Sequence, residues 1–147
     1  MREKQIERLV SYYTKIFHTT DPLAIAQQLN IIVQFGDLGE YSGCYMFLKN
    51  HRCIMINEQL EGSERLFVLA HELGHALLHR KQDCYFLRGH TYLNSRLERE
   101  ANYFASLMVI SDDFLVQHAH CSTYDISKMY GCDLYTVEKR IHSFNDL

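Results

Sequence analysis

Apolar residues at Ile6, Leu9, Val10, Tyr13, Ile16 and Phe17 recur at the three- and four-residue intervals that share one helix face, so an amphipathic helix is expected over residues 2–18. In TTDPLAIAQQLN, Thr20 or Asp21 can cap a short second helix with Pro22 in its first position, where a missing N–H costs nothing. The period then changes. IIVQF, YSGCYMFL and RCIMIN are β-branched and aromatic runs bounded by Gly36, Gly39, Gly43 and the KNH turn, which predicts three strands, the last two a hairpin around Asn50. Helical spacing returns after Asn57, with Ser63 as candidate cap, and runs to about Arg80. Residues 81–94 read as a loop. Further helices are predicted over 95–109, from Ser111 onward, and near 123–130 and 134–144 around a GCD turn. The pattern describes an α+β fold: a three-stranded, mostly antiparallel sheet packed on helices, with a helical C-terminal tail. No repeat or linker-like tract marks a boundary, so one domain over 1–147 is expected, with a core of about 20–112 and a tail of about 113–147.

Within the long helix, VLAHELGHALLH (68–79) sets His71, His75 and His79 four apart, with Glu72 among them. On a helical wheel Leu66, Ala70, Leu73 and Leu77 form one stripe and the first two histidines fall roughly opposite, giving a core face and a histidine face. Residues four apart have Cβ atoms about 5–6 Å from each other. Two imidazoles can therefore reach one ion at the ~2.0–2.1 Å that zinc prefers. Glu72, three before His75, can reach a water on that ion without ligating it. This is the H-E-x-x-H arrangement of zinc peptidases. Nine histidines can produce the motif by composition alone, but the apolar back of the helix and Gly74, which permits close approach, favour a metal site. The Cα of His79 lies about 12 Å along the axis from that of His71. It is too distant to share the ion and is expected to support the site from outside or to cap the helix end, where the dipole favours an imidazolium.

Zinc hydrolases usually hold the ion with three protein groups and leave a fourth position to water. Lys81 stands six after His75, where the longer metzincin pattern needs a histidine, so that class is excluded. Candidate third ligands are Glu98 and Glu100 in LEREANYFASLMVI, and Asp83 and His90 in the loop before it. Leu97, Ala101, Phe104 and Met108 form the buried stripe of that helix, with Glu98 at its edge, Asn102 one turn on, and Glu100 directed to solvent beside Arg99. Ala101 and Ala105 allow close approach to the histidine helix, and Asn102 can hydrogen-bond a ligating imidazole. The residues alone leave Glu98 open between a ligand and a carboxylate on an exposed helix edge.

Taken together, FVLAHELGHALLH and EREANYFASLMV resemble the ImmA/IrrE family of metallopeptidases, and the likeness runs over residues about 22–110, from DPLAIAQQLNI through the strand ending IMIN. The resemblance implies a small zincin-like fold, with His71, His75 and Glu98 as metal ligands, Glu98 being the first residue of E-x-x-A-N. It implies Glu72 as the catalytic base and Zn2+ as cofactor, with Mn2+ as the alternative. The activity it implies is hydrolysis of a peptide bond in a helix-turn-helix repressor of a phage or mobile element. One feature departs from the family: members often reach a proline after F-A, whereas this chain continues SLMVISDD and has Pro22 as its only proline. A loop difference accounts for that.

Composition narrows the alternatives. A net charge of −3 and a pI near 6.3 give no electrostatic footprint for nucleic acid or anionic membrane. The charged start MREKQIERLV and the short uncharged runs contain neither a signal peptide nor a membrane span, so a soluble cytoplasmic protein is expected. Five cysteines without a C-x-x-C pair argue against a disulfide framework or a thiolate zinc knuckle, and are expected to be reduced core fillers. The tail YDISKMYGCDLYTVEKRIHSF reads helix, turn, helix, with Val137 and Ile141 inward and Glu138, Lys139 and Arg140 outward. Asp125, Asp133, Glu138 and Asp146 offset its basic residues, so nucleic acid is not the expected partner. A non-catalytic antirepressor or DNA-binding module with a structural metal is the alternative function. For an oxyanion donor, His90, Tyr92 and Tyr103 are candidates, and none is assigned.

Overall fold

The chain enters through α1 (Arg2–Phe17) and turns at Asp21, whose carboxylate accepts from the Leu23 N–H to cap α2 (Pro22–Gln28). Our computed structural model describes residues 2–87 and 96–146. Strands β1 (Ile32–Gly36), β2 (Tyr41–Leu48) and β3 (His51–Asn57) follow. Lys49 and Asn50, both at positive φ, make the two-residue turn of the β2–β3 hairpin. Next come α3 (Gly62–Leu78), β4 (Cys84–Leu87), α4 (Arg96–Val109), α5 (Asp112–Gln117), α6 (Thr123–Tyr130) and α7 (Leu134–Asn145). Ser111 caps α5 by accepting from the Phe114 N–H.

The sheet has four strands in the order β1-β3-β2-β4, not three. Part of the segment expected to be a loop, CYFL, pairs antiparallel to β2 with Cys84 opposite Tyr45 and Phe86 opposite Gly43. Four residues are too few to show an alternating period against the polar KQD before them. β2 and β3 are antiparallel, while β1 lies parallel to β3, Ile32 opposite Cys53. Ser63 does not cap α3: the cap position falls two residues earlier, on Glu61, which makes no side-chain bond, and Gly62 at φ +58 turns the chain into the helix.

Helix α3 lies between β2 and β3 on one side and α4 on the other. Every residue from Phe67 to Ala76 is buried, so the histidine face does not meet solvent. The wheel misjudged its edge: Leu66 is 36% exposed, while His71 and His75 are fully buried. Gly74 is where the helices touch, since a Cβ there would meet Phe104 Cδ1 at 3.1 Å and Ala101 Cα at 3.3 Å. Close packing by Ala101 and Ala105 brings the α4 side chains within reach of α3.

The tail also packs on α4, through α7. Val137 is buried as expected, but Arg140 turns inward as well. Its Nε donates to the carbonyls of Ile110 (2.9 Å) and Ser106 (3.3 Å) at the end of α4, and its Nη2 to Asp112 (2.7 Å). The Ser106 carbonyl already accepts from the Ile110 N–H, but the Ile110 carbonyl lies past the last turn, where carbonyls lack intrahelical partners, and that shortage draws the guanidinium in. Arg140→Met should lower unfolding stability by about 1–3 kcal/mol, the cost of stranding buried acceptors. Urea denaturation measures it.

Candidate metal centre

His71 and His75 stand one turn apart on α3, their rings 4.8 Å between centroids and nearly perpendicular. From α4, Glu98 reaches across: Oε2 lies 3.0 Å from His71 Nε2 and Oε1 lies 2.9 Å from His75 Nε2. All three residues are buried.

What surrounds the two imidazoles fixes which nitrogen is free. Asn102, one turn beyond Glu98, has its Oδ1 2.7 Å from His71 Nδ1. An amide oxygen only accepts, so His71 carries its proton on Nδ1 and presents a lone pair at Nε2. His75 Nδ1 lies 3.0 Å from His79 Nδ1, and His79 Nε2 lies 2.8 Å from Glu100 Oε1. The Glu100 carboxylate accepts a hydrogen bond from His79 Nε2–H, leaving His79 Nδ1 to accept from His75 Nδ1–H. The sequence of donors therefore runs outward from His75 through His79 to Glu100, where Arg2 Nε closes it at 3.0 Å. Both imidazoles aim bare Nε2 atoms at a carboxylate.

Two lone pairs facing an anion at about 3 Å repel unless a cation lies among them. Among the described residues, His71 Nε2, His75 Nε2 and Glu98 Oε2 are all buried without a hydrogen-bond partner, and so are both oxygens of Glu72. Buried polar atoms are rarely left unpaired. Two imidazole nitrogens and a carboxylate are also the donor chemistry of catalytic zinc sites. These residues fit a metal ion.

Charge follows the same layout. Burial lowers the His75 pKa to about 4, with His71 and His79 adding to the fall, so the ring is neutral as ligation needs. Burial would raise the Glu98 carboxyl, but positive charge on its imidazole side, a proton at Nε2 or a cation in its place, outweighs this and holds it well below the usual carboxylate range. Burial, then the nearby Glu98 charge, pushes the Glu72 carboxyl well above that range. Ligand-type atoms of His71, Glu72 and His75 all lie within 4.8 Å of one another, so Glu72 stands beside the donors.

Other candidates are placed elsewhere. Asp83 accepts from the Phe47 N–H of β2. Tyr103 faces α1, where its hydroxyl donates to Glu7 (2.6 Å). His90 and Tyr92 lie outside the described residues. Glu100 does not point to solvent: it is buried against His79 and Arg2, partners too distant in sequence, or on another helix, for its own helix pattern to reveal. Cys84 was also missed. All five cysteines are free and two, Cys44 and Cys84, are buried, but the sequence did not show that Cys84 Sγ lies within 4.8 Å of ligand-type atoms of His75 and Glu98. Reading CYFL as a strand would have put Cys84 and Phe86 on one face.

Because His79 and Glu100 hold the His75 tautomer, His79→Ala and Glu100→Ala should each weaken zinc binding by about 10–100-fold. Titration against a chromophoric chelator reports the change. Unaltered affinity in both would remove the relay from the site.

An H-E-x-x-H helix backed by a mixed sheet, with a carboxylate from the next long helix closing on both imidazoles, gives a donor set of the kind metallopeptidases use. Comparison with known proteins agrees. The family described as the IrrE N-terminal-like domain, peptidase family M78, matches residues 26–142. Over 130 residues the chain is 32% identical to "Uncharacterized immunity region protein 2" of Bacillus phage phi105, covering 86% of this chain and 82% of that one. It is 31% identical over 115 residues to "Metallopeptidase ImmA" of Bacillus subtilis (strain 168), covering 76% and 67%. The chain belongs to the ImmA/IrrE family of metallopeptidases. The match extends past residue 110 to take in α5, α6 and most of α7. Among the described residues no helix is long and apolar enough to cross a membrane.

Proposed function

We propose that the protein is a zinc-dependent endopeptidase acting in the cytoplasm, as one domain over 1–147, on a helix-turn-helix repressor of a phage or mobile element. His71, His75 and Glu98 would hold the ion, with Mn2+ as an alternative to Zn2+, and Glu72 would be the catalytic base. The observation that carries this is the convergence of three unpartnered buried donor atoms beside an unpartnered buried carboxylate.

When bound, zinc supplies Lewis acidity, lowering the pKa of a coordinated water toward ~7 and polarising a carbonyl. The protein supplies the rest. Glu72 takes a proton from the attacking water and returns it to the leaving amine; a carboxyl that burial has made a stronger base suits the first transfer. Asn102 and His79 keep the two imidazoles neutral and oriented throughout. His71, Glu72 and His75 have no solvent exposure, so a peptide enters only when their cover moves. Part of that cover is Phe86 of β4, whose ring lies 4.3 Å from the His71 ring. The repressor assignment draws support from the relatives, one named for a phage immunity region and one for a metallopeptidase.

The test is to incubate the purified chain with the repressor encoded beside it, with zinc or manganese and with chelator. Discrete fragments should form only with metal. Stable capture of an uncut repressor would replace proteolysis by sequestration.

A further inference from the structure

Among the described residues strand β4 is an edge strand that pairs only with β2, through a short ladder with a register irregularity between Tyr41 and Gly43. Side chains alternate across a strand. Cys84 and Phe86 therefore share its inner face, and both are buried. There Phe86 covers His71, while Cys84 Sγ approaches His75 and Glu98. Among the described residues its hydrogen bond is a long one, S–H to the Gln82 carbonyl at 3.5 Å. Beside it stand the unpartnered Nε2 of His75 and Oε2 of Glu98.

We propose that Cys84 is a fourth, displaceable donor to the metal. In the resting protein the ion is held by His71, His75, Glu98 and the Cys84 thiolate, which fills the position that a hydrolytic water requires, so the protein is latent until β4 withdraws. The proposal rests on the metal centre described above and adds regulation to it. Thiolate is among zinc's preferred ligands, and four protein ligands make a closed site whereas three leave it open. With bonds of about 2.0 Å to nitrogen and 2.3 Å to sulfur, a tetrahedral site sets N and S roughly 3.5 Å apart. Donor atoms already within 4.8 Å need only a small inward shift of an edge strand. On coordination the S–H bond breaks, its electron pair goes to the metal and the proton to solvent. Withdrawal of β4 returns a proton to the sulfur and gives the position to water, without any oxidant. The movement that uncovers His71 is the one that removes the sulfur.

Cobalt(II) substitution of the full chain tests this. The parent should bind one cobalt with tetrahedral visible bands and a strong near-ultraviolet thiolate-to-cobalt charge-transfer band. Cys44→Ser, which alters a buried cysteine on β2, should keep that band. Cys84→Ser and Cys84→Ala should lose it while still binding one cobalt, and should weaken zinc binding by about tenfold or more. Circular dichroism of the metal-free variants checks that they fold. On a cleavable repressor, Cys84→Ala should outpace the parent. One bound cobalt with no charge-transfer band in the parent, a band that survives Cys84→Ser, or a parent as active as Cys84→Ala would overturn the proposal and leave the metal centre standing. Failure to bind cobalt at all would overturn both.

Discussion

Glu72→Gln should reduce hydrolysis by about 10²–10⁴-fold or more, the usual contribution of a positioned acid–base group, while one zinc remains bound. Glutamine has nearly the same shape and leaves His71, His75 and Glu98 untouched, so only proton transfer is lost. The same substitution should stabilise the metal-free protein. Both Glu72 oxygens are buried without partners, and its carboxyl is raised well above the ordinary range by burial and then by Glu98. A group whose folded pKa is raised contributes stability that is fully present below its unfolded pKa and is lost as pH rises through the folded value. Glu72 should thus subtract stability from the metal-free parent on going from acid to neutral pH, against the opposite contributions of the lowered His75 and Glu98, and the difference between parent and Glu72→Gln isolates its share. Relief of one unpaired buried charge should be worth about 1–3 kcal/mol, or roughly 2–12 °C at 2–4 °C per kcal/mol for a domain of this size. Paired melting curves with and without chelator, set beside a cleavage assay, measure all of it. A Glu72→Gln protein that cuts like the parent removes Glu72 from the chemistry.

Glu98→Ala should abolish tight zinc binding, and with it the thermal shift that zinc produces. A ligand present at about 100 times its Kd stabilises the folded state by about 2.7 kcal/mol, so the parent's melting temperature should rise by roughly 5–11 °C on saturation. In Glu98→Ala that rise should vanish, because the carboxylate that faces both imidazoles at 2.9–3.0 Å is lost and Cys84, the other donor nearby, reaches the ion only if β4 shifts inward. Calorimetric titration of parent and variant provides the direct comparison. Equal zinc affinity would mean that another residue is the third ligand.

Local features of the chain were the ones legible in its sequence. Asp21 before Pro22 and Ser111 before Asp112 cap their helices because capping depends on neighbours within three residues. The H-E-x-x-H spacing places His71 and His75 one turn apart whatever packs around them. Asn102 lies one turn from Glu98, a position from which a bond to one of the imidazoles was expected, and the structure puts that bond on His71. What the pattern could not supply was set by partners distant in the chain or on other elements. Arg2 and His79 draw Glu100 inward, and the carbonyl end of α4 draws in Arg140. The periodicity of α3 marked one apolar stripe, but sheet and helix press on it from both sides, so burial runs around the whole coil. Strand β4 is defined by its pairing with β2 and not by any period of its own. For the same reason Cys84 was legible only as a cysteine, and its nearness to His75 and Glu98 was not.

Anomalous diffraction at the zinc absorption edge, on crystals of the metal-loaded full chain, addresses the central claim most directly. The account predicts one strong peak at ~2.0–2.2 Å from His71 Nε2, His75 Nε2 and a Glu98 carboxylate oxygen. A peak placed elsewhere, or a loaded protein whose three donors surround no metal, would contradict it.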